Sequence, residues 1–220
     1  MENKIKIRQP IVTVCGHVDH GKTSVLDCFR GSCVQEGEAG GITQKISFTR
    51  YPLEQIKKSC PLIGKSGANI DIPGFLFIDT PGHAAFTNLR KRGGSLADLA
   101  VVVVSITEGI KPQTIEVFQI LKAFKTPFVI ALNKVDLISG WQKKGNIKEG
   151  VEGQAINVSE EFQEKLLTFQ GALQEHGFDS ALYYEVEDFT KQMHLFRVLR
   201  ETERESLNFF LFFVGCARSS

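Results

Sequence analysis

The feature that most constrains the fold of this chain is the octapeptide Gly16-His17-Val18-Asp19-His20-Gly21-Lys22-Thr23. A β-branched apolar run at residues 11–15 precedes it, and apolar side chains at helical spacing follow it. A buried strand, a glycine-containing turn and a helix are therefore predicted in succession. In that setting G-x-x-x-x-G-K-T predicts a loop whose backbone N–H groups surround phosphates, with Lys22 on the phosphate oxygens and the Thr23 hydroxyl on Mg²⁺. The alternative is a chance match in a glycine-containing loop.

The rest of the chain repeats this alternation of apolar strands and amphipathic helices. Further strands are predicted within residues 42–51 and at 75–78, 99–104 and 128–132, and helices at 53–58, 84–96, 113–124 and 160–176. Strands that alternate with helices pack as a parallel sheet with right-handed crossovers. The predicted fold class is α/β, a mostly parallel central sheet with helices on both faces, and 220 residues suit one main domain.

Two polar motifs follow predicted strands, at the edge of the sheet where ligands of open α/β folds bind. The first is Asp79-Thr80-Pro81-Gly82-His83 and the second is Asn133-Lys134-Val135-Asp136. We expect Asp79 to hold the magnesium shell, and the Gly82 amide to approach the γ-phosphate because glycine has no Cβ. Asp136 can accept two hydrogen bonds from the N1–H and 2-amino group of guanine, a donor pair that adenine does not offer. Taken singly, each motif is also compatible with a capped or solvated turn.

These motifs, in this order, resemble those of the translational GTPases. The runs Glu38-Ala39-Gly40-Gly41-Ile42-Thr43-Gln44 and Pro81-Gly82-His83-Ala84-Ala85-Phe86 are similar to the initiation factor two/five-B branch, especially its archaeal and eukaryotic members. The resemblance is dense over residues 9–141 and loose up to residue 191. It implies a phosphate-loop G domain that binds GTP or GDP with Mg²⁺, hydrolyses GTP, and belongs to a factor that promotes ribosomal subunit joining and initiator tRNA positioning.

The resemblance also implies a role for individual residues. Thr43 closes over Mg²⁺ and the γ-phosphate, His83 orients the attacking water on the ribosome, and Asp19 holds a monovalent cation near the phosphates. The catalytic residues expected are His83, Lys22 and Thr43, and the metal ligands are Thr23, Thr43 and Asp79. The nucleotide-binding residues expected are Gly16, His17, Val18, Asp19, His20, Gly21, Lys22, Thr23, Ser24, Asp79, Gly82, Asn133, Lys134 and Asp136. For His83 the alternative is a buried structural histidine. Since no arginine finger is evident in the sequence, slow hydrolysis is expected without the ribosome.

The sequence departs from this family after residue 191. No Ser-Ala turn of the kind that contacts guanine follows, nor do the barrel and the tRNA-binding module of complete members. Ser105 also stands where an acidic residue is common. Residues 1–9 are expected to be an extension, 10–191 the G domain and 192–220 a divergent or frame-shifted segment. Two explanations remain for the last part: a change of reading frame, or a divergent last strand at 193–199 followed by a helix at 206–214.

Charge and composition exclude several other classes of protein. A net charge of +1 gives no global field that would attract nucleic acid. The five cysteines form no C-x-x-C pair, no export signal is evident, and the apolar run at 207–214 is too short to span a membrane. We therefore expect a cytoplasmic monomer that contacts the ribosome but no membrane, and that meets initiator tRNA only through domains absent from this sequence. The alternative function is a truncated nucleotide- or ribosome-binding module without productive GTP turnover.

Overall fold

A computed structural model describes residues 8–30, 47–54, 72–79, 97–142, 147–182 and 193–197. Within these ranges the strands are β1 (Ile11–Gly16), β2 (Ser47–Pro52), β3 (Gly74–Asp79), β4 (Leu99–Ser105), β5 (Phe128–Asn133), β6 (Ser180–Leu182) and β7 (Met193–Arg197). The helices are α1 (Lys22–Arg30), α2 (Pro112–Ala123), α3 (Ile147–Glu152) and α4 (Ile156–Glu175). None of the described helices is long and apolar enough to cross a membrane.

The described strands form one sheet in the order β2-β3-β1-β4-β5-β7-β6. β2 runs antiparallel to β3, and every other neighbouring pair is parallel. The carboxyl ends of β1, β3, β4 and β5 therefore meet at one edge of the sheet. A mostly parallel sheet with helices confirms the predicted fold class.

β4 shows why the central strands have nearly continuous apolar sequences. All seven of its residues are buried. The even-numbered positions from 100 to 104 belong to a core cluster with side chains of α2 and α4, including Phe118 and Phe162. Successive side chains of a strand alternate between faces, and the odd-numbered positions from 99 to 103 are equally buried. Both faces of the sheet are thus covered at β4, as a parallel sheet requires.

The predicted strands and helices agree closely with the described ones. The helix predicted at 160–176 begins four residues earlier in the structure, and β6 was not predicted. The helix predicted at 84–96 and most of that at 53–58 lie outside the described residues. β7 occupies part of the strand predicted at 193–199 and pairs with β5, so the sheet includes a segment beyond residue 191.

A carboxylate joins the first strand to the fourth at the opposite, amino-terminal edge of the sheet. Asp98 Oδ2 accepts hydrogen bonds from the backbone N–H of Ile11, at 2.7 Å, and from Arg8, at 2.6 Å. Asp98 N donates in return to Ile11 O, at 2.9 Å. The Arg8 guanidinium, which also binds the second carboxylate oxygen, holds the pKa of Asp98 below its usual value. This contact aligns the start of β1 with the start of β4.

Candidate nucleotide-binding site

Residues 16–23, here called the phosphate loop, follow β1 and depend on two glycines with positive φ. Gly16 has φ 143°, and a Cβ there would lie 2.2 Å from Val103 O. Gly21 has φ 84°, and its Cβ would lie 2.3 Å from Asn133 Nδ2. Each position combines a positive φ with a close neighbouring atom, so the Cβ of any other residue would collide with that atom. Between them lies a 3₁₀ turn, Val18–His20.

The side chain of Lys22 forms a hydrogen bond with the backbone of the phosphate loop. Its ammonium donates to His17 O at 2.7 Å, and the side chain is almost fully buried at the start of α1. Burial lowers the pKa of Lys22, while the charge of Asp79 opposes that shift. A buried ammonium beside a carboxylate is thus placed at the loop, where charge interactions are screened less than in bulk water.

Thr23 and Asp79 bring oxygen donors to the same edge of the sheet. Asp79 is the last residue of β3, pairs in register with Val14 of the neighbouring β1, and is buried. Thr23 is buried one residue after Lys22. A hydroxyl and a carboxylate are hard oxygen ligands of the kind that Mg²⁺ prefers, so this donor set fits the metal.

Residues 133–136, here called the base-reading segment, are connected to the phosphate loop by a direct hydrogen bond. Asn133 ends β5 and is buried, and its Nδ2 donates to His20 O at 2.9 Å. Lys134 has φ 61° and leads into a 3₁₀ turn, Val135–Leu137, which leaves Asp136 exposed. The buried asparagine therefore fixes the segment, while the aspartate three residues later remains accessible to a ligand.

The structure describes all but three of the expected site residues. Thr43, Gly82 and His83 lie outside the described residues. The other expected residues follow or end β1, β3 and β5 at one edge, and are Gly16, His17, Val18, Asp19, His20, Gly21, Lys22, Thr23, Ser24, Asp79, Asn133, Lys134 and Asp136. Their roles in binding remain predictions. The stretch after β7, where the Ser-Ala turn of the family would be sought, is also outside the described part of the chain.

The loop after β4 contributes an acidic residue that the sequence motifs did not indicate. Glu108 Oε1 accepts from the Lys134 ammonium at 3.0 Å. Its Oε2 lies 3.7 Å from His20 Nε2 and 4.0 Å from Lys111 Nζ. The only sequence signal for it is its position three residues after a buried strand, at the ligand-binding edge.

The two histidines of the phosphate loop have different environments. His20 is fully buried, and burial lowers its pKa to about 4. His17 donates from Nδ1 to Gln113 Oε1 in α2, and its ring meets that of His20 edge-on, with 5.1 Å between centroids. His20 is thus neutral near pH 7 and is packed against the ring of His17 in the interior. Ser105, at a position where an acidic residue is common in the family, is buried and shares a hydrogen bond of 2.9 Å with the Thr107 hydroxyl.

Comparison with known proteins gives consistent matches. A family model described as the elongation factor Tu GTP binding domain matches residues 7–198. A probable translation initiation factor IF-2 of Methanopyrus kandleri is 49% identical over 193 residues, which are 86% of this chain and 32% of that protein. The protein of the same description from Methanothrix thermoacetophila is 48% identical over 219 residues, which are 99% of this chain and 36% of the relative. The present chain therefore spans about one third of the length of these relatives.

Solved structures of translation factors also match this chain. The crystal structure of GDP-bound aIF5B from Aeropyrum pernix matches with a TM-score of 0.80 and 40% identity, over 97% of this chain and 36% of that one. A bacterial selenocysteine-specific elongation factor, EF-Sec, matches with a TM-score of 0.61 at 20% identity over 97% of this chain and 29% of its own, and shares the fold. The resemblance to the initiation factor two/five-B branch predicted from the motifs is confirmed. The alignment over 219 residues also continues past residue 191.

Proposed function

This chain belongs to the GTPase family described as the elongation factor Tu GTP binding domain, and from that premise we propose that it is the GTP-hydrolysing domain of a translation initiation factor. The observation that carries the proposal is the bond from Asn133 Nδ2 to His20 O, which joins a phosphate loop to a guanine-reading tetrapeptide. A single nucleotide has phosphates at one end and a base at the other. The two motifs are adjacent as such a ligand requires.

The phosphate half of the site depends on Lys22. We propose that its ammonium, which donates to His17 O, also donates to the β- and γ-phosphate oxygens of the bound nucleotide. Because the side chain is buried, its attraction to phosphate is screened less than at an exposed surface. The backbone N–H groups at the start of α1 complete an anion-binding helix terminus.

Thr23 and Asp79 are the described residues proposed to hold Mg²⁺, Asp79 through a water molecule. Bound there, the metal would offset negative charge on the transferring phosphoryl group. The exposed carboxylate of Asp19, within the same loop, is proposed to hold a monovalent cation near the phosphates.

Hydrolysis is proposed to require residues outside the described ranges. His83 is proposed to orient the attacking water, and Thr43 and Gly82 to respond to the presence of the γ-phosphate. Without the ribosome the domain hydrolyses GTP slowly. In this proposal the nucleotide state controls ribosomal subunit joining, and initiator tRNA is positioned by further domains. We also propose that the chain is monomeric and cytoplasmic. Its GTP-binding domain is proposed to consist of residues 10–191 together with β7.

A titration with fluorescent GDP, GTP and ATP tests the base specificity. We expect GDP and GTP to bind and ATP to bind far more weakly. Asp136→Asn should weaken GDP binding about 100-fold, because the charge is lost and one of the two acceptor oxygens is replaced by an NH₂ group that faces a guanine donor. Asp179→Asn, at another exposed aspartate, is the matched control and should bind GDP as the unaltered chain does. Equal affinity for ATP and GTP would remove the guanine proposal, and no binding would leave only the fold.

A further inference from the structure

The β4–α2 loop, residues 106–111, contacts both halves of the proposed nucleotide site although it carries none of the motifs. Its backbone is bonded to the base-reading segment, since Ile106 N donates to Asn133 O at 3.0 Å. A turn then follows, in which Gly109 N donates to Ser105 O at 2.9 Å. At its other end, Lys111 O accepts the first backbone bonds of α2. The loop is therefore held at both ends, and Glu108 lies in its middle.

The side chain of Glu108 reaches one residue of each motif. One carboxylate oxygen accepts from Lys134 of the base-reading segment at 3.0 Å. The other lies 3.7 Å from Nε2 of His20. The backbone oxygen of His20 accepts the hydrogen bond from the Asn133 side-chain amide. The phosphate loop and the base-reading segment are thus joined directly by the Asn133 hydrogen bond, and the carboxylate of Glu108, bonded to Lys134, lies between them beside the His20 ring.

Lys134 combines an uncommon backbone conformation with the ion pair to Glu108. Its φ of 61° lies in the left-handed region, which residues other than glycine, asparagine and aspartate seldom adopt. Its backbone is in the base-reading segment and its ammonium is at Glu108, so the side chain spans the space between that segment and the β4–α2 loop. Both partners are about one third exposed or less, with side-chain exposures of 27% for Lys134 and 33% for Glu108. The pair therefore retains more attraction than a fully exposed ion pair.

We propose that Glu108 is a positioning residue for guanine-nucleotide binding, which holds Lys134 and the base-reading segment at a set distance from the phosphate loop. This inference rests on the proposed function above. A ligand that touches both parts binds more tightly when their separation is already set, because less ordering is lost on binding. Removal of Glu108 should therefore affect nucleotide retention through Lys134, the residue to which the carboxylate is bonded.

The experiment measures dissociation of fluorescent GDP from the unaltered chain and from Glu108→Ala and Glu108→Gln, each also combined with Lys134→Met. Glu108→Ala should release GDP about fivefold faster, the upper range for one partly exposed ion pair. Glu108→Gln keeps an acceptor oxygen and should have a smaller effect. In the Lys134→Met background the Glu108 substitutions should add little, because the partner is already missing. The difference in rate should also shrink in 1 M KCl, at about 3 Å Debye length.

Controls separate this role from a loss of folding. Glu175→Ala, an exposed glutamate at the end of α4, should leave the GDP dissociation rate unchanged. Thermal unfolding of each variant without nucleotide measures its stability. A general loss of structure would lower the Tm, and it would do so whether residue 134 is lysine or methionine. An unchanged rate in both Glu108 variants overturns the inference and leaves the proposed function intact. An equal rate increase in the Lys134→Met background also overturns it. Failure of the unaltered chain to bind GDP overturns the proposed function and this inference with it.

Discussion

Gly21 is the residue where the two proposed halves of the nucleotide site come closest. Its Cα faces the Asn133 amide, and that amide donates to His20 O one residue earlier. A glycine is needed here for two separate reasons, the positive φ and the lack of space. The sequence pattern indicates the first reason, because G-K-T loops turn at this position. The second reason depends on Asn133, which is more than one hundred residues away in the chain.

Gly21→Ala and Gly177→Ala should separate these two effects. Both glycines have similar backbone angles, φ 84° and φ 76°, but a Cβ at Gly177 would make only ordinary contact, 3.5 Å from Lys122 Nζ. We expect each substitution to lower the free energy of unfolding by about 1 kcal/mol through backbone strain. Gly21→Ala should lose about 1–3 kcal/mol more, and bind GDP at least about tenfold more weakly, because it displaces the Asn133 amide. Urea unfolding and GDP titration measure both, and equal losses in the two variants would contradict the steric argument.

At the scale of elements, the paired ends of β1 and β4 show how the sheet is aligned on the side opposite the proposed site. Asp98 joins these strands through the Ile11 N–H and the Arg8 guanidinium. The strands themselves were predictable from their apolar runs. Their adjacency was not, because β2 and β3 lie between them in the sequence and β4 pairs with β1 across that interval.

This contact predicts a specific dependence of stability on pH. The pKa of Asp98 is lowered in the folded chain, so its ionised form stabilises the fold above the ordinary pKa near 3.8 and that stabilisation is lost as the pH falls through the lowered value. Asp98→Asn should reduce the free energy of unfolding by about 1 kcal/mol at pH 7, through weaker hydrogen bonds. The difference between the two proteins should shrink below pH 3.8, as urea unfolding from pH 7 to 2 would measure.

Asp179→Asn is the control for this experiment, since that carboxyl is exposed. It should change the stability little at either end of the pH range. A difference between Asp98→Asn and the unaltered chain that stays constant down to pH 2 would exclude the proposed electrostatic contribution.

For the whole molecule, the proposed site predicts that nucleotide binding stabilises the fold. Residues at or after the carboxyl ends of β1 and β5 and the last residue of β3 contribute to it, so a ligand at that edge binds the folded sheet and not the unfolded chain. GDP with Mg²⁺ at about 100 times its dissociation constant should raise the free energy of unfolding by about 2.7 kcal/mol. EDTA should reduce this gain if Thr23 and Asp79 hold the metal as proposed.

Thermal unfolding with and without nucleotide provides the measurement. Lys22→Ala should lose most of the GDP-dependent rise in Tm, because the ammonium proposed to meet the phosphates is missing. ADP at the same concentration is the ligand control and should produce little change. A rise in Tm of equal size with ADP would contradict the proposed base specificity, and a full GDP effect in Lys22→Ala would contradict the role of that lysine.

The amino-acid sequence by itself determined the local features of this protein: the order of strands and helices, the glycine turn of the phosphate loop, and the two motifs at strand ends. These follow from hydrophobic periodicity and backbone preference, which act over a few neighbouring residues. Only the tertiary structure decided which distant residues meet. The strand order places β5 two positions from β1, so Asn133 reaches His20 and Glu108 reaches Lys134. No short-range pattern encodes those contacts, because they arise from the packing of separate segments into one sheet.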